Sequence, residues 1–307
     1  MTLFQLPQLL FVLRAVVLLG GLGFAAVQDW EVREVGDGLW QGMGIVGVVL
    51  GVLAFWGDPL ALALWILVGA WVLEHLLPWD TPLERYSDKL PGWVELTFYG
   101  VALIVVIVAA VTYGVGPTGV PIDVIAVTVS ILLSRGLFEI GVLYGGADAK
   151  ALMVAGLLIP VDATVLWAPG GAAGLLAYYP FSLTILIDAA LFAVAVPIAI
   201  AVRNLARHDF VFPRGFTGYT IPVAELPERF VWIKDPTFNG YPTEDESEPE
   251  TTEEDRALRQ RQADELTKQG VSRVWVTPQL PFVVWILAGA VAALLVGNLV
   301  FDLLVAL

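Results

Sequence analysis

Two aspartates at the ends of long apolar runs are the residues of this sequence best suited to chemistry. Asp29 follows the first run, and Asp148 stands in the segment Gly145-Gly146-Ala147-Asp148-Ala149-Lys150, between two later runs. An ionisable side chain beside hydrocarbon is costly, which favours a functional interpretation. Two neighbouring carboxylates can share a proton, so that one takes a proton from water while the other polarises a carbonyl group. Such a pair is suited to peptide-bond hydrolysis.

The rest of the composition leaves few other kinds of catalytic site. The chain contains no cysteine and only two histidines, His75 and His208, which are far apart in sequence. Thiolate nucleophiles, disulfides and cysteine-ligated zinc are therefore excluded, and no metal-ligand spacing is present. We predict neither a metal nor a cofactor. The net charge of −14 also makes nucleic acid an unexpected partner.

Each acid has a structural interpretation as well. Asp148 is placed to cap the N-terminus of a helix whose first turn runs from Ala149 to Leu152. Position alone does not decide between that role and a catalytic one. Asp29, taken alone, is best explained as an ordinary acid at the end of a membrane helix.

The composition is that of a polytopic membrane protein. The chain is 58% hydrophobic and 15% charged, with a mean hydropathy of +0.78, whereas a soluble domain carries about a quarter charged residues. The pattern predicts an all-α fold with about eight transmembrane helices, within a range of six to eight. The predicted helices are 9–27, 39–56, 59–77, 97–114, 121–143, 151–168, 181–202 and 280–305.

The distribution of basic residues predicts the orientation in the membrane. When the connections between helices are numbered alternately, one set holds fourteen of the sixteen Lys and Arg residues and the other set holds none. The remaining two, Arg14 and Arg135, lie within predicted helices. The positive-inside rule makes the basic set cytoplasmic and places the N-terminus outside. Asp29 and Asp148 are separated by an even number of predicted helices, so both are expected at the cytoplasmic face.

The sequence divides into three parts. Residues 1–202 hold the predicted catalytic helices, 203–279 form a cytoplasmic insert, and 280–307 contain the last transmembrane helix. Within the insert, residues 209–241 have the composition of short strands, and a helix is predicted near 254–269. Residues 242–256 are strongly acidic and are predicted to be disordered.

These features together resemble those of the archaeal prepilin peptidases, also called preflagellin or archaellin peptidases, which are GxGD-type membrane aspartic proteases. The first family motif is an Asp, an Arg four residues later and a branched apolar residue, often followed by a polar residue and an aromatic. It is matched by Asp29, Arg33, Val35, Asp37 and Trp40. The second motif, Gly-x-(apolar)-Asp followed by Lys, is matched by Gly145, Gly146, Ala147, Asp148 and Lys150. Two additional helices separate the motifs, compared with six-helix members of the family.

The resemblance implies a function and a location. Such enzymes remove the N-terminal leader from archaellin and type IV pilin-like precursors, which carry a basic leader and a hydrophobic N-terminal helix. The expected location is the cell membrane, with several passes and the active site at the cytoplasmic face. The resemblance makes Asp29 and Asp148 the catalytic pair. It says little about 203–279, which we interpret as a lineage-specific insert. The acidic, lysine-poor composition suggests a halophilic source, and the sequence leaves the oligomeric state open.

Four residues near the acids are candidate supporting residues: Arg33, Gly145, Gly146 and Lys150. The two basic residues could orient the acids or contact substrate, or they could be positive-inside anchors. The two glycines could form a hinge or a close-approach surface, or simply a turn that breaks the helix.

Two other functions are alternatives. A signal-peptide-peptidase or presenilin-like protease would have Tyr before the first Asp and a later Pro-Ala-Leu, but Gln28 precedes Asp29 and no Pro-Ala-Leu follows Asp148. A proton-coupled transporter would use Asp188 and Glu139, with Arg135 beside them. No internal repeat supports a transporter. Asp188, in the predicted helix 181–202, otherwise has no assigned role.

Overall fold

The computed structural model describes residues 6–77, 92–114, 120–143, 145–161, 179–234 and 252–306. The chain forms two compact units, one of residues 1–30, 35–192 and 282–307 and the other of residues 31–34 and 193–281. The helices are, in chain order, α1 (Leu6–Val32), α2 (Asp37–Ala54), α3 (Pro59–His75), α4 (Gly92–Tyr113), α5 (Val120–Glu139), α6 (Gly146–Leu158), α7 (Phe181–Ala193), α8 (Ala195–Ala206), α9 (Thr252–Lys268), α10 (Phe282–Leu295) and α11 (Leu299–Ala306).

The apolar helices support a membrane protein. In the described part of the chain, three stretches are long and apolar enough to cross a membrane: Gln8–Val32, Asp37–Ala54 and Phe181–Ala206. Shorter apolar helices cover Pro59–His75, Gly100–Tyr113 and Phe282–Leu295. A polytopic helical membrane protein agrees with these lengths, and the number of eight spanning helices stays a prediction.

Helix α6 is the central helix of the first unit. Every residue from Asp148 to Leu158 is buried, and α2, α3, α5 and α10 all pack against this helix. A helix that is apolar on all sides is expected at the centre of a bundle. The exceptions on α6 are Asp148 and Lys150, which are 8% and 4% exposed. Two ionisable residues on a fully buried helix are expensive to place there, so a specific role is the expected explanation.

Close packing of α2 depends on glycine. A Cβ atom at Gly51 would come within 1.9 Å of the Trp65 ring on α3. The indole Nε1–H of Trp65 donates to the carbonyl of Val48 at 3.1 Å, which fixes the ring across the face of α2. Small residues that let two backbones approach are the usual means of packing helices in membranes.

The connection between α2 and α3 is a tight turn at Gly57-Asp58-Pro59, whose glycine and proline are residue types that commonly mark turns. Asp58 is the N-cap of α3, and its carboxylate accepts hydrogen bonds from the backbone N–H groups of Leu60 and Ala61 at 3.1 and 3.0 Å. The hydroxyl of Tyr113 donates to the same oxygen at 2.8 Å. The Ala61 N–H and then the Tyr113 hydroxyl hold the pKa of Asp58 below its usual value.

The second unit contains a small antiparallel sheet. Strands β1 (Tyr219–Pro222), β2 (Val231–Ile233) and β3 (Arg273–Pro278) are ordered β1-β3-β2, with Ile221 opposite Val274 and Ile233 opposite Val276. Helix α9 covers the sheet. The core between them consists of Ile221, Val223, Leu226, Val231, Ile233, Ala263, Leu266, Val274 and Val276. Short strands were predicted within 209–241, where β1 and β2 lie, and a helix near 254–269, whereas β3 was not predicted.

Two helix predictions and one prediction of disorder require correction. The predicted helix 151–168 begins five residues earlier, at Gly146, and ends at Leu158 because Pro160 cannot continue it. Its last residues, from 162 on, lie outside the described part of the chain. The predicted helix 280–305 is two helices, α10 and α11, with Gly297 between them at φ 100°. Of the acidic stretch predicted to be disordered, residues 252–256 belong to α9, and 242–251 are not described.

Candidate functional site

Asp148 lies inside the first turn of α6 and is not its N-cap. The helix begins at Gly146 with Gly145 as the N-cap, so Asp148 is the third helical residue. Its carboxylate accepts a hydrogen bond from the backbone N–H of Gly145, which is the reciprocal half of a capping box. The interpretation of Asp148 as the N-cap of a helix starting at Ala149 is therefore wrong. The N-cap itself has no side chain, and the acid faces back toward it.

Glycine at position 145 leaves room for this carboxylate. A Cβ atom there would lie 2.8 Å from Oδ2 of Asp148 and 3.3 Å from its Cγ. Gly145 has an ordinary extended conformation, with φ −98° and ψ 128°, so the close approach and not the backbone angle requires glycine. Gly146 follows as the first residue of the helix. The pair therefore marks the start of α6 and brings the backbone close to the acid.

Asp29 lies in the last turns of α1 and contacts the start of α10. Its Oδ2 accepts a hydrogen bond from the backbone N–H of Val283 at 3.2 Å. The first N–H groups of a helix have no partner within the helix, and the N-terminus carries a partial positive charge. A carboxylate accepts a hydrogen bond from such an N–H group and interacts favourably with the partial positive charge. Asp29 is thus joined to a residue 254 positions later in the chain.

The structure brings Asp29 and Asp148 together. Their carboxylates are close enough for the charge of Asp29 to act on Asp148. Each acid also accepts a hydrogen bond from a backbone N–H at the start of a helix, α10 for Asp29 and α6 for Asp148. Two carboxylates near each other are the arrangement in which one proton can be shared. Chemically, the arrangement can hold one proton between two acids.

Lys150 forms an ion pair that links the two motifs. Its Nζ lies 2.6 Å from Oδ1 of Asp37, the first residue of α2. The lysine side chain is 4% exposed and that of Asp37 is 30% exposed. An exposed positive-inside anchor would extend into the headgroup layer, so Lys150 does not have that role. The pair instead fastens the start of α6 to the start of α2.

Arg33 has a different environment in the second unit. Its guanidinium lies 5.0 Å from the ring centroid of Phe230, and Arg259 stacks on the same ring at 5.4 Å. Arg33 has a φ of 60°, which is uncommon for a residue with a side chain and is most often found at turns and functional sites. The stacking holds the chain that follows Asp29 against the folded insert.

The acids proposed for a transporter have structural partners. Oδ1 of Asp188, which is fully buried, accepts the backbone N–H of Leu299 at 3.0 Å, at the first residue of α11. Glu139 pairs with Arg135 at 2.6 Å on α5, as the i, i+4 spacing predicts. The sequence assigned no role to Asp188. In the structure its carboxylate accepts a hydrogen bond at the start of α11, just after the break that follows α10.

Three contacts of the site were missed in the sequence: Val283 with Asp29, Phe230 with Arg33 and Asp37 with Lys150. Pro281 immediately before an apolar helix was a signal that unpartnered N–H groups would start there. No local signal pointed to Phe230, because the contact joins residues almost two hundred positions apart. Asp37 was noticed as part of the first motif, and its pairing with Lys150 was not.

Comparison with known protein families gives a match for one region of the chain. Residues 212–299 match the family described as Archaeal Peptidase A24 C-terminus Type II. The match covers under a third of the chain, including the sheet, α9, α10 and Val283, and neither of the two acids. No curated protein matches the chain. Most of 203–279, which we interpreted as a lineage-specific insert, falls within this described family region. Residues 212–299 are therefore similar to the C-terminal part of archaeal A24 peptidases, and the long apolar helices agree with a membrane protein.

Proposed function

We propose that this protein is a membrane aspartic endopeptidase with Asp29 and Asp148 as its catalytic pair. The observation that carries the proposal is the meeting of these two carboxylates, one from each sequence motif, at the starts of two helices. The A24 peptidase match adds support, although it lies outside both acids.

The proposed mechanism uses the single proton that the pair holds. The ionised carboxylate takes a proton from water, and the resulting hydroxide attacks the scissile carbonyl carbon. The protonated carboxyl donates a hydrogen bond to the carbonyl oxygen and stabilises the negative charge that develops there. Collapse of the tetrahedral intermediate breaks the C–N bond, and the departing amine takes a proton from the pair. Both acids end with one shared proton, as at the start.

The proposed substrates are precursors of archaellins and type IV pilin-like proteins. Cleavage would occur at the cytoplasmic face, where the positive-inside rule predicts both acids. A chain with net charge −14 suits a basic leader, although salt would screen the attraction in a halophilic cytoplasm. Lys150 and Asp37 would hold the two acid-bearing segments in register, and Gly145 would leave space for the substrate backbone near Asp148.

The alternatives receive less support. A presenilin-like protease would use the same pair, but the residues that accompany each acid in that family are absent here. A proton-coupled transporter would use Asp188 and Glu139, and both already have partners with structural roles.

The test is cleavage of an archaellin precursor in reconstituted membranes, followed by the size shift on a gel. Asp29→Asn and Asp148→Asn should each reduce the rate by at least about 10³-fold, since each removes one partner of the proton-sharing pair. Glu139→Gln is the matched control, because it alters an acid on a neighbouring helix and should leave cleavage intact. Cleavage at the normal rate by either Asp variant would refute the assignment. Cleavage of a transmembrane helix that lacks a leader, in preference to the precursor, would favour the presenilin-like alternative.

A further inference from the structure

Residues 207–216, here called the aromatic loop, expose large apolar side chains on the second unit. Phe212 is 78% exposed, Val211 42% and Phe216 39%. The core of this unit lies elsewhere, between the sheet and α9. Contiguous exposed apolar side chains of this size usually mark a surface that contacts another molecule or a membrane.

The exposure is built into the folded loop. Phe216 packs edge-on against both Phe210 and Phe212, with ring centroids 5.3 and 6.4 Å apart. A Cβ atom at Gly215 would come within 2.7 Å of the Phe210 ring, so glycine is needed for this packing. The buried amide of Asn204 donates to the carbonyls of Gly215 and Gly218 at 2.9 and 2.7 Å. The loop is therefore fixed to α8, and Phe212 is held outward.

The position of the loop follows from the helix that precedes it. Phe181–Ala206 is an apolar stretch of 26 residues. At about 1.5 Å per residue, 26 helical residues are enough to cross the ~30 Å hydrocarbon core of a bilayer. The aromatic loop begins immediately after this stretch, and Asn204, near the end of α8, anchors it. With this stretch spanning the bilayer, the loop is expected at the level of the headgroups.

The charge around the loop is opposite to that of the whole chain. Residues 203–218 contain Arg203, Arg207 and Arg214 and a single acid, Asp209, in a protein of net charge −14. Arg207 and Arg214 are exposed, and Asp209 accepts a hydrogen bond from Thr220 at 3.2 Å. Aromatic side chains beside arginines are characteristic of the membrane interface, and basic residues there are attracted to anionic lipids.

We propose that the aromatic loop is a membrane-docking element that inserts Val211, Phe212 and Phe216 at the boundary between headgroups and acyl chains. Arg207 and Arg214 contact the phosphates of anionic lipids on either side. The loop thereby fixes the folded insert against the membrane surface next to the end of α8. This role is independent of the peptidase proposal.

The absence of cysteine allows a direct depth measurement. Phe212→Cys creates a unique site for a nitroxide spin label in the full-length protein, reconstituted in nanodiscs of phosphatidylcholine with phosphatidylglycerol. The label should be several-fold more accessible to oxygen, which partitions into lipid, than to a water-soluble nickel chelate. Ala257→Cys, at an exposed position of α9, is the matched control and should show the reverse. A label at position 212 with the same accessibility as one at position 257 would overturn the proposal.

Two further arms separate anionic lipid from other occupants. Arg207→Gln, added to Phe212→Cys, should make the label shallower in phosphatidylglycerol, to the depth found in pure phosphatidylcholine. Equal depth in both lipids without Arg207→Gln would overturn the assignment to anionic lipid. A second copy of the chain is the other possible occupant. The label would then be shielded only in nanodiscs that hold two chains, and the cysteines introduced at position 212 of the two copies would crosslink. That result would refute membrane docking.

Discussion

Asp29 and Asp188 have the same local contact and different surroundings. Each carboxylate accepts the backbone N–H of a residue at the start of a helix near the end of the chain, Val283 for Asp29 and Leu299 for Asp188. The carboxylate of Asp148 also lies close enough to Asp29 for the two to interact electrostatically. An acid at a helix N-terminus is therefore an ordinary structural feature, and what distinguishes the proposed site is the second acid.

The largest expected effect is the difference in cleavage rate between variants of Asp188 and Asp29. Asp188→Ala removes the partner of the Leu299 N–H and should destabilise the protein by about 1–2 kcal/mol, as loss of a helix cap does. Its cleavage rate per folded molecule should stay within about threefold of normal, against a loss of about 10³-fold for Asp29→Asn. Thermal unfolding in detergent, measured beside the rate, separates the two effects. A rate for Asp188→Ala as low as that of Asp29→Asn would remove the distinction between the acids.

The next effect concerns the ion pair beside the site. Asp37→Asn removes the carboxylate that faces the buried ammonium of Lys150. Because the buried charge of the lysine then loses this partner, the protein should be destabilised by about 3 kcal/mol. Lys150→Met leaves Asp37 partly exposed at a helix N-terminus, where a negative charge is favourable, and should destabilise by only about 1 kcal/mol. Denaturant titration of both variants measures the difference. Equal destabilisation by the two variants would contradict the expectation that follows from the deeper burial of Lys150 than of Asp37.

The smallest effect tests the close approach at Asp148. Gly145→Ala places a methyl group against Oδ2 of Asp148 and should reduce kcat/KM by about tenfold, which is ~1.4 kcal/mol, by displacing the acid. Gly136→Ala on α5 is the control, because a Cβ atom there meets nothing within 4 Å. That control should leave cleavage unchanged and stabilise the helix by about 0.5–1 kcal/mol. No change in kcat/KM for Gly145→Ala would show that the glycine is needed only for the turn.

The sequence alone determined which residues could do chemistry and the general class of structure. The absence of cysteine, the two histidines and the long apolar runs are properties of composition, and Asp29, Arg33, Asp148 and Lys150 stand in local motifs that need no fold to be recognised. The turn residues Gly57 and Pro59 also indicate the α2–α3 connection, and the sequence predicted a helix near 254–269 that is observed at Thr252–Lys268. Those signals act over a few residues.

Only the tertiary structure decided how the acids are held. The start of α6 at Gly146 changed Asp148 from a candidate N-cap to a buried acid in the first turn of the central helix. The break at Gly297 gave Asp188 its partner, and the N–H of Val283 gave Asp29 its own. These contacts join residues more than a hundred positions apart, and the free energy that selects them comes from burial of the whole bundle, which no local pattern of residues records.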